Sequence, residues 1–339
     1  MSARQTIIPV FVPHVGCPND CVFCNQRRIS GAVRPITPRE VSCAIEQGAA
    51  ITPNGVQRQL AFYGGIFTAI PAEEQERLLD AVQPYLADGT IDSIRLSTRP
   101  DAIDDTVLSR LKKYGVKTIE LGAQSMDDIV LEMCGRGHTA KHVEQAAQLV
   151  KQHGFDLILQ MMTGLPGDED GSSSLVTARR LAALRPNGVR IYPTVIVRDT
   201  ALYELWQAGM YREHSVEDAV TVCAQIVPIF EDAGIPVIRL GLNPTEELSN
   251  GDAAGGAYHP ALGELVKSRM MLNRASQLLQ GVEQGCSVIL EVGKGKISQM
   301  VGQHRCNICA LERKFNLKSI KIKEKQEKSD EISLKFVAK

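Results

Sequence analysis

His14–Gly31 reads HVGCPNDCVFCNQRRISG, and this stretch decides how the rest of the chain is read. Cys17, Cys21 and Cys24 stand in the spacing C-x-x-x-C-x-x-C. Thiolates this close can bind one metal centre, because a short loop curls readily around a cluster. Four thiolates complete an ordinary iron–sulfur cluster. Three leave one iron with an open coordination position, the feature that separates a catalytic metal site from a closed structural one. The same residues admit a second reading, a structural zinc loop with His14 as fourth ligand. Such sites are usually built from two separated ligand pairs, and no second pair lies nearby in the sequence.

Around that loop the composition is ordinary. The chain has 339 residues, enough for one large domain or two. Its 38 Lys+Arg nearly balance 39 Asp+Glu, so no global field favours nucleic acid or a membrane surface. No apolar run reaches the length of a membrane span, so no membrane partner is expected. The opening MSARQTIIPVFVP carries too short an apolar stretch for a secretory signal. Nine cysteines without an export signal point to a reducing compartment and to metal or catalytic use of the thiols. The expected location is cytoplasmic.

The chain then alternates between two periods. Apolar β-type runs are expected at 6–12, 60–63, 93–97, 117–121, 156–162, 188–195 and 237–240. Between them lie helical patterns. Thr37-Pro38-Arg39-Glu40 opens the first, with Thr37 as N-cap, Pro38 at the first helical position and Glu40 closing a capping box. In the helix over 142–152, Val143, Ala146, Ala147 and Val150 follow the i, i+3, i+4, i+7 spacing of one buried face. Strands alternating with helices in this way predict parallel βα units, an α/β fold. Six or so repeats are too few for a closed eight-fold barrel. After 240 the rhythm changes. The segment 243–256, NPTEELSNGDAAGG, reads as loop or linker. A long helix over 262–279 follows, then short strands at 287–292, 297–301, 319–323 and 332–337, which predict a small α+β subdomain. The division expected is a core domain over 1–240 and a C-terminal extension over 241–339.

With Phe23 before its last cysteine, the C-x-x-x-C-x-x-C loop resembles the signature of the radical S-adenosylmethionine (SAM) enzymes. RLSTRPD (95–101), IELGAQS (119–125), GRGHT (135–139), MMTGLPG (161–167) and TALYELWQAGMY (200–211) are similar to the radical SAM domain of the Elongator catalytic subunit and its bacterial relatives. The resemblance covers about 7–240. It implies a partial (β/α)6 TIM-like barrel, open on one side to admit substrate. It implies a 4Fe–4S cluster on Cys17, Cys21 and Cys24, and SAM chelated to the unique iron. One electron from the cluster then breaks the sulfur–C5′ bond, and the resulting 5′-deoxyadenosyl radical abstracts hydrogen from substrate. The SAM contacts implied are Phe23, Tyr63, Gly64, Gly65, Ser97, Gln124 and Arg136. Tyr63-Gly64-Gly65 would hold the amino group by backbone, Gln124 the ribose side, and Arg136 the carboxylate through a guanidinium fork. Two departures stand out: Ser97 replaces the family's usual acidic residue, and Ile66 follows the glycine pair where a small or polar residue is commoner. An electron donor of flavodoxin or ferredoxin type is the implied partner.

The Elongator relatives carry an acetyltransferase domain after this one, and about a hundred residues past Leu240 leave no room for it. The expectation is therefore a radical SAM enzyme of unidentified substrate. The alternatives are a tRNA-modifying enzyme acting on a wobble uridine, and a non-catalytic zinc- or iron–sulfur-binding protein. Cys306 and Cys309 form a CxxC read as two ordinary thiols. Cys43, Cys134, Cys223 and Cys286 are read as core residues. Tyr258-His259-Pro260 and Gln303-His304-Arg305 are candidates to face substrate. The lysine-rich end of the chain reads as a solvated face.

Overall fold

The computed structural model describes residues 5–12, 21–25, 34–64, 66–242, 251–327, 329 and 331–336. Four residues named above, His14, Cys17, Gly31 and Gly65, lie outside that set, as does 243–250 of the expected linker.

Seven strands build the main sheet: β1 (Gln5–Val12), β2 (Gln57–Gly64), β3 (Ser93–Thr98), β4 (Val116–Gln124), β5 (Asp156–Thr163), β6 (Gly188–Pro193) and, after a short β7 (Val195–Val197), β8 (Val237–Leu240). Their order in the sheet is β1-β2-β3-β4-β5-β6-β8, and every neighbouring pair is parallel. Sheet order thus follows chain order, with a helical crossover between each pair. Crossovers of one hand put all the helices on one face and curl the sheet into an open half-barrel. Six strand–helix units and a closing strand make up the partial barrel.

The crossovers are started by local chemistry. Helix α1 (Pro38–Ile51) begins with the expected capping box: Glu40 N donates to Thr37 Oγ1 at 3.3 Å, and Thr37 N donates to the Glu40 carboxylate at 2.8 Å. Val41 and Ile45, one turn apart, are its buried residues. The second crossover breaks in two, α2 (Ala72–Asp80) and α3 (Gln83–Ala87), with Pro84 in the first turn of the second piece. Helix α4 (Asp105–Lys113) starts from Asp104, whose carboxylate accepts from Val107 N. A short α5 (Asp128–Met133) precedes α6 (Ala140–Gln152), which buries Val143, Ala146, Ala147 and Val150 as the spacing predicts. Helices α7 (Ser172–Ala183) and α9 (Val216–Asp232) complete the barrel layer, and α8 (Ala201–Gln207) packs in a separate cluster with Ile196, Tyr211 and Phe23.

Alternate strand residues face opposite ways. Ile94, Leu96, Ile119, Leu121, Leu157, Leu159, Val189 and Ile191 are fully buried in the apolar core between sheet and helices. Their neighbours Arg95, Glu120 and Arg190 meet one another in the barrel interior.

Beyond the barrel, β9 (Ala253–Gly256) pairs antiparallel with β7. This corrects the reading of 243–256 as loop throughout. The strand expected over 188–195 divides for the same reason: at Thr194 the chain leaves the main sheet, where its N–H donates to the Thr163 carbonyl, and turns to meet β9. Helix α10 (Leu262–Leu278) serves two cores. Leu262, Val266 and Met270 pack into the barrel core, and Met271 and Ala275 into a smaller one. That smaller core lies under a three-stranded sheet, β10 (Ser287–Val292) flanked by β11 (Ser319–Glu324) and β12 (Ser333–Phe336). Ile297–Val301, expected as a strand, is helix α11. Ile297, Met300 and Val301 recur at i, i+3, i+4, a helical spacing, and Gly302 at φ +74° ends the turn. Helix α12 (Cys306–Phe315) was not foreseen. Among the described residues, no helix is long and apolar enough to cross a membrane.

Candidate functional site

The described part of the cysteine loop, 21–25, lies over the C-terminal end of the half-barrel, where parallel βα folds gather their ligands. Cys24 N donates to the Cys21 carbonyl at 2.9 Å, closing a tight turn. Val22 fastens that turn on both sides: its N–H donates to the Cys134 carbonyl (3.0 Å) and its carbonyl accepts from Leu202 N (2.8 Å). Phe23 packs against two apolar clusters, one around Val130, Cys134 and Leu165 and the other around Ile196, Leu202 and Tyr211. The TALYELWQAGMY stretch therefore supports the cysteine loop directly.

Arg136 and Gln124 converge beside it. Arg136 Nη1 lies 3.4 Å from Cys21 Sγ, and Nη2 donates to the Gly122 carbonyl at 2.7 Å. A Cβ on Gly122 would stand 3.0 Å from Gln124 Nε2 and 3.1 Å from Arg136 Nη2, so a side chain at 122 would crowd both groups. Strand β4 bulges here. Gly122 pairs with Gln160, but the next β5 residue, Met161, pairs with Gln124, leaving Ala123 as an extra residue. Gln124 takes φ +64°, a left-handed backbone that non-glycine residues adopt at a cost and that clusters at functional sites. Its side-chain oxygen accepts from Gln160 Nε2 at 3.3 Å. The Ala123 carbonyl meets His138 Nε2 at 3.2 Å, and burial, with Arg136 adding to it, pushes the His138 imidazole down to about 4. Arg99, itself paired with Asp101, donates to the Arg136 carbonyl. The buried Nε of Arg136 has no hydrogen-bond partner among the described residues, a donor left for an anion. Arg136 forms no ion pair with Glu132; its main-chain N–H closes the α5 turn on Leu131.

At the end of β2, Gly64 takes φ +95°, and a Cβ there would stand 2.7 Å from the Val12 carbonyl. Only glycine leaves this backbone open to a close-approaching ligand. The Tyr63 side chain turns into the barrel, and the contact expected of this segment is one of backbone. Its hydroxyl donates to Glu120 Oε1 at 3.1 Å and accepts from Arg190 Nη2 at 3.0 Å. Burial and the neighbouring Glu120 carboxylate push its pKa well up. Ser97 is half-buried on the same face, in register with Glu120.

Reading the sequence missed Gly122, Arg95, Glu120 and Arg190. The signal was present. In SIRLST, TIELGAQ and GVRIYP a polar residue breaks every second position of strands that a fully covered parallel sheet would make apolar throughout. Other expected residues lie elsewhere. His259 Nδ1 accepts from Ala261 N, capping the approach to α10, and Tyr258 packs beside Val195 and Val197. Gln303, His304 and Arg305 sit exposed before α12. Cys306 and Cys309 are exposed, and Cys134 and Cys223 are buried as expected; burial pushes the Cys134 thiol up to about 12. Cys43 is a correction: it lies on the outer side of α1 and is exposed. Cys286 is half-buried at the edge of the smaller core.

Residues 11–175 match the model of the radical SAM superfamily, and 186–271 that of a radical SAM C-terminal domain. Elongator complex protein 3 of Homo sapiens is 30% identical over 226 residues, 61% of this chain and 40% of its own length. The tRNA uridine(34) acetyltransferase of Methanocaldococcus jannaschii is 29% identical over 183 residues, 48% of this chain and 34% of its own. The chain thus spans about two fifths or less of the curated relatives it matches here. Among solved structures, archaeal Methanocaldococcus infernus Elp3 with an N-terminal deletion superposes with a TM-score of 0.59 at 23% identity, covering 79% of this chain and 63% of that one, a likeness of fold. The spacing of the cysteines, the half-barrel and two family models that together span most of the sequence agree: the chain belongs to the radical SAM superfamily.

Proposed function

We propose that this chain is a radical SAM enzyme that binds a 4Fe–4S cluster on Cys17, Cys21 and Cys24 and cleaves SAM reductively. The observation that carries the reading is the convergence of Arg136 on both Cys21 and Gly122, with Gln124 alongside. The residues fit the cofactors. Arg136 Nε is a buried donor without a partner, which suits the SAM carboxylate, and the open backbone at Gly64 suits the amino group. When bound, cluster and SAM supply a one-electron cleavage and hydrogen-atom abstraction. The protein's own part is to position and shield. Arg136 would fix the carboxylate end, Gln124 the ribose, and Phe23 the seat of the cysteine loop. The strands of the half-barrel keep bulk water from the reacting atoms.

A zinc loop is the weaker reading, because it gives no use for the guanidinium at Cys21 or for the strained Gln124. An electron donor of flavodoxin or ferredoxin type would supply the electron, in the cytoplasm. The substrate reading favoured by the Methanocaldococcus jannaschii relative is a tRNA uridine. Anaerobic reconstitution tests the core proposal. The expected result is a brown protein with about four irons per chain that forms 5′-deoxyadenosine from SAM when reduced, and an Arg136→Ala variant that keeps its iron and binds SAM weakly. A colourless protein with one tight zinc would overturn it.

A further inference from the structure

We propose that the barrel interior binds an oxyanion of the substrate, a phosphate or carboxylate group, between Arg190 and Arg239 beside the Tyr192 hydroxyl. The inference names a substrate subsite and rests on the radical SAM reading for the identity of the reaction.

The argument is one of charge and direction. Glu120 accepts from Arg95 Nη1 at 2.6 Å, from Arg190 Nε at 2.9 Å and from Tyr63 at 3.1 Å. Arg95 is used up in this way, since its Nε donates to Gln59. Arg190 donates to Glu120 through Nε and Nη2 and to Tyr63 through Nη2, which leaves Nη1, and it shares the carboxylate that Arg95 already holds. Arg239 stands beside it, in register on the neighbouring strand β8. It donates Nε to the Gly241 carbonyl at 3.2 Å and meets no carboxylate among the described residues. Among the described residues, three guanidiniums at this level of the barrel therefore share one carboxylate. Asp156 begins the opposite, N-terminal end of β5.

Tyr192 lies two residues beyond Arg190, on the same face of β6. Arg190 and Arg239 are register partners across β6 and β8, so the Tyr192 ring follows Arg190 on the face of the sheet that both cations share. Arg190 and Arg239 are both partly buried, and excess positive charge withdrawn from water attracts a counter-ion more strongly than the same charge in bulk solvent. A guanidinium fork matches the geometry of carboxylate and phosphate oxygens, and a hydroxyl supplies a further donor. The subsite lies in the barrel interior, apart from Arg136, whose guanidinium is committed to Cys21 and Gly122. An anion held there would anchor a substrate whose reacting carbon points up toward the cysteine loop.

The test titrates inorganic phosphate and acetate, separately, into the full chain carrying its reconstituted cluster, by calorimetry. Saturating S-adenosylhomocysteine is present in a parallel series. Saturable binding of either anion that survives S-adenosylhomocysteine is the expected result. Phosphate alone would assign a phosphorylated substrate, and acetate alone a carboxylate. Arg239→Gln should weaken binding about tenfold, Arg239→Lys less, and Lys321→Gln on the exposed face of β11 not at all. Thermal melts of each variant guard against misfolding. No saturable binding, equal binding by the wild type and Arg239→Gln, or displacement by S-adenosylhomocysteine would each overturn the proposal. Cleavage of SAM is measured on the same samples without anion, so a chain that forms 5′-deoxyadenosine but binds neither probe loses the subsite and keeps the enzyme.

Discussion

On β4, Ile119 and Leu121 are wholly buried beneath the outer helices, and Glu120 between them is almost as buried, held by two arginines and a tyrosine. The same strand thus spends alternate residues on opposite tasks. Transfer of an aliphatic side chain out of water stabilises by about 1.5–3 kcal/mol, so the outer face accounts for much of the fold. A buried ion cluster is poor at this, because desolvation offsets most of the attraction, and apolar residues of the same volume often do as well or better. The inner face is therefore a surface kept for recognition, which the outer face makes stable enough to exist.

Breaking the inner face should have the largest effect. Glu120→Ala leaves Arg95 and Arg190 close together without their carboxylate, and about 3–5 kcal/mol of stability should be lost in urea unfolding. Replacing Arg95, Glu120 and Arg190 together by Met, Leu and Met should recover most of that loss while abolishing substrate turnover. Recovery of turnover in that triple variant would refute the division of labour.

Protons probe the same divide. His138 is held neutral at the site, its pKa pushed down by burial to about 4, against an unfolded value near 6.5. Above pH 6.5 neither state carries the proton. As pH falls from 6.5 toward 4 the unfolded chain takes it up first, so stability drops, by roughly 3 kcal/mol at the end of that window. His214, buried beside Thr163, behaves alike, with its pKa also about 4. Unfolding at pH 7 and pH 4.5 should show the slope of two protons, and His138→Asn should remove one.

The outer face answers to volume alone. Ile119→Val should cost about 1 kcal/mol with unchanged SAM binding. Cys43→Ser, on the exposed side of α1, should stay within about 0.5 kcal/mol of the parent in a thermal melt.

The outer face was also what the sequence displayed most openly. Helical spacing over 142–152 and the capping box at Thr37 are local signals, and both recur in the structure where spacing put them. The cysteine loop stood out because three cysteines lie in one short segment. Arg95, Glu120 and Arg190 were not, since their meeting spans strands far apart in the chain and depends on which way the sheet curls. Tyr63 shows the same limit. Its backbone was read beside Gly64, but that its ring reaches Glu120 across two strands could not be read from one segment. The helix at Ile297–Val301 was misread because a five-residue segment with β-branched ends, ISQMV, is short enough to fit either period.

The extra residue at Ala123 has a consequence for how the family's chains can change. Side chains on a strand alternate, so removing one residue from β4 after Gly122 would exchange inside for outside for all that follows. A deletion of Ala123 would straighten the ladder with β5, swing Gln124 out toward the helices and take from His138 the carbonyl it meets. The sheet would gain regularity and the cysteine loop would lose its neighbour. The length of the strand between Gly122 and Gln124 is fixed by what the bulge aims.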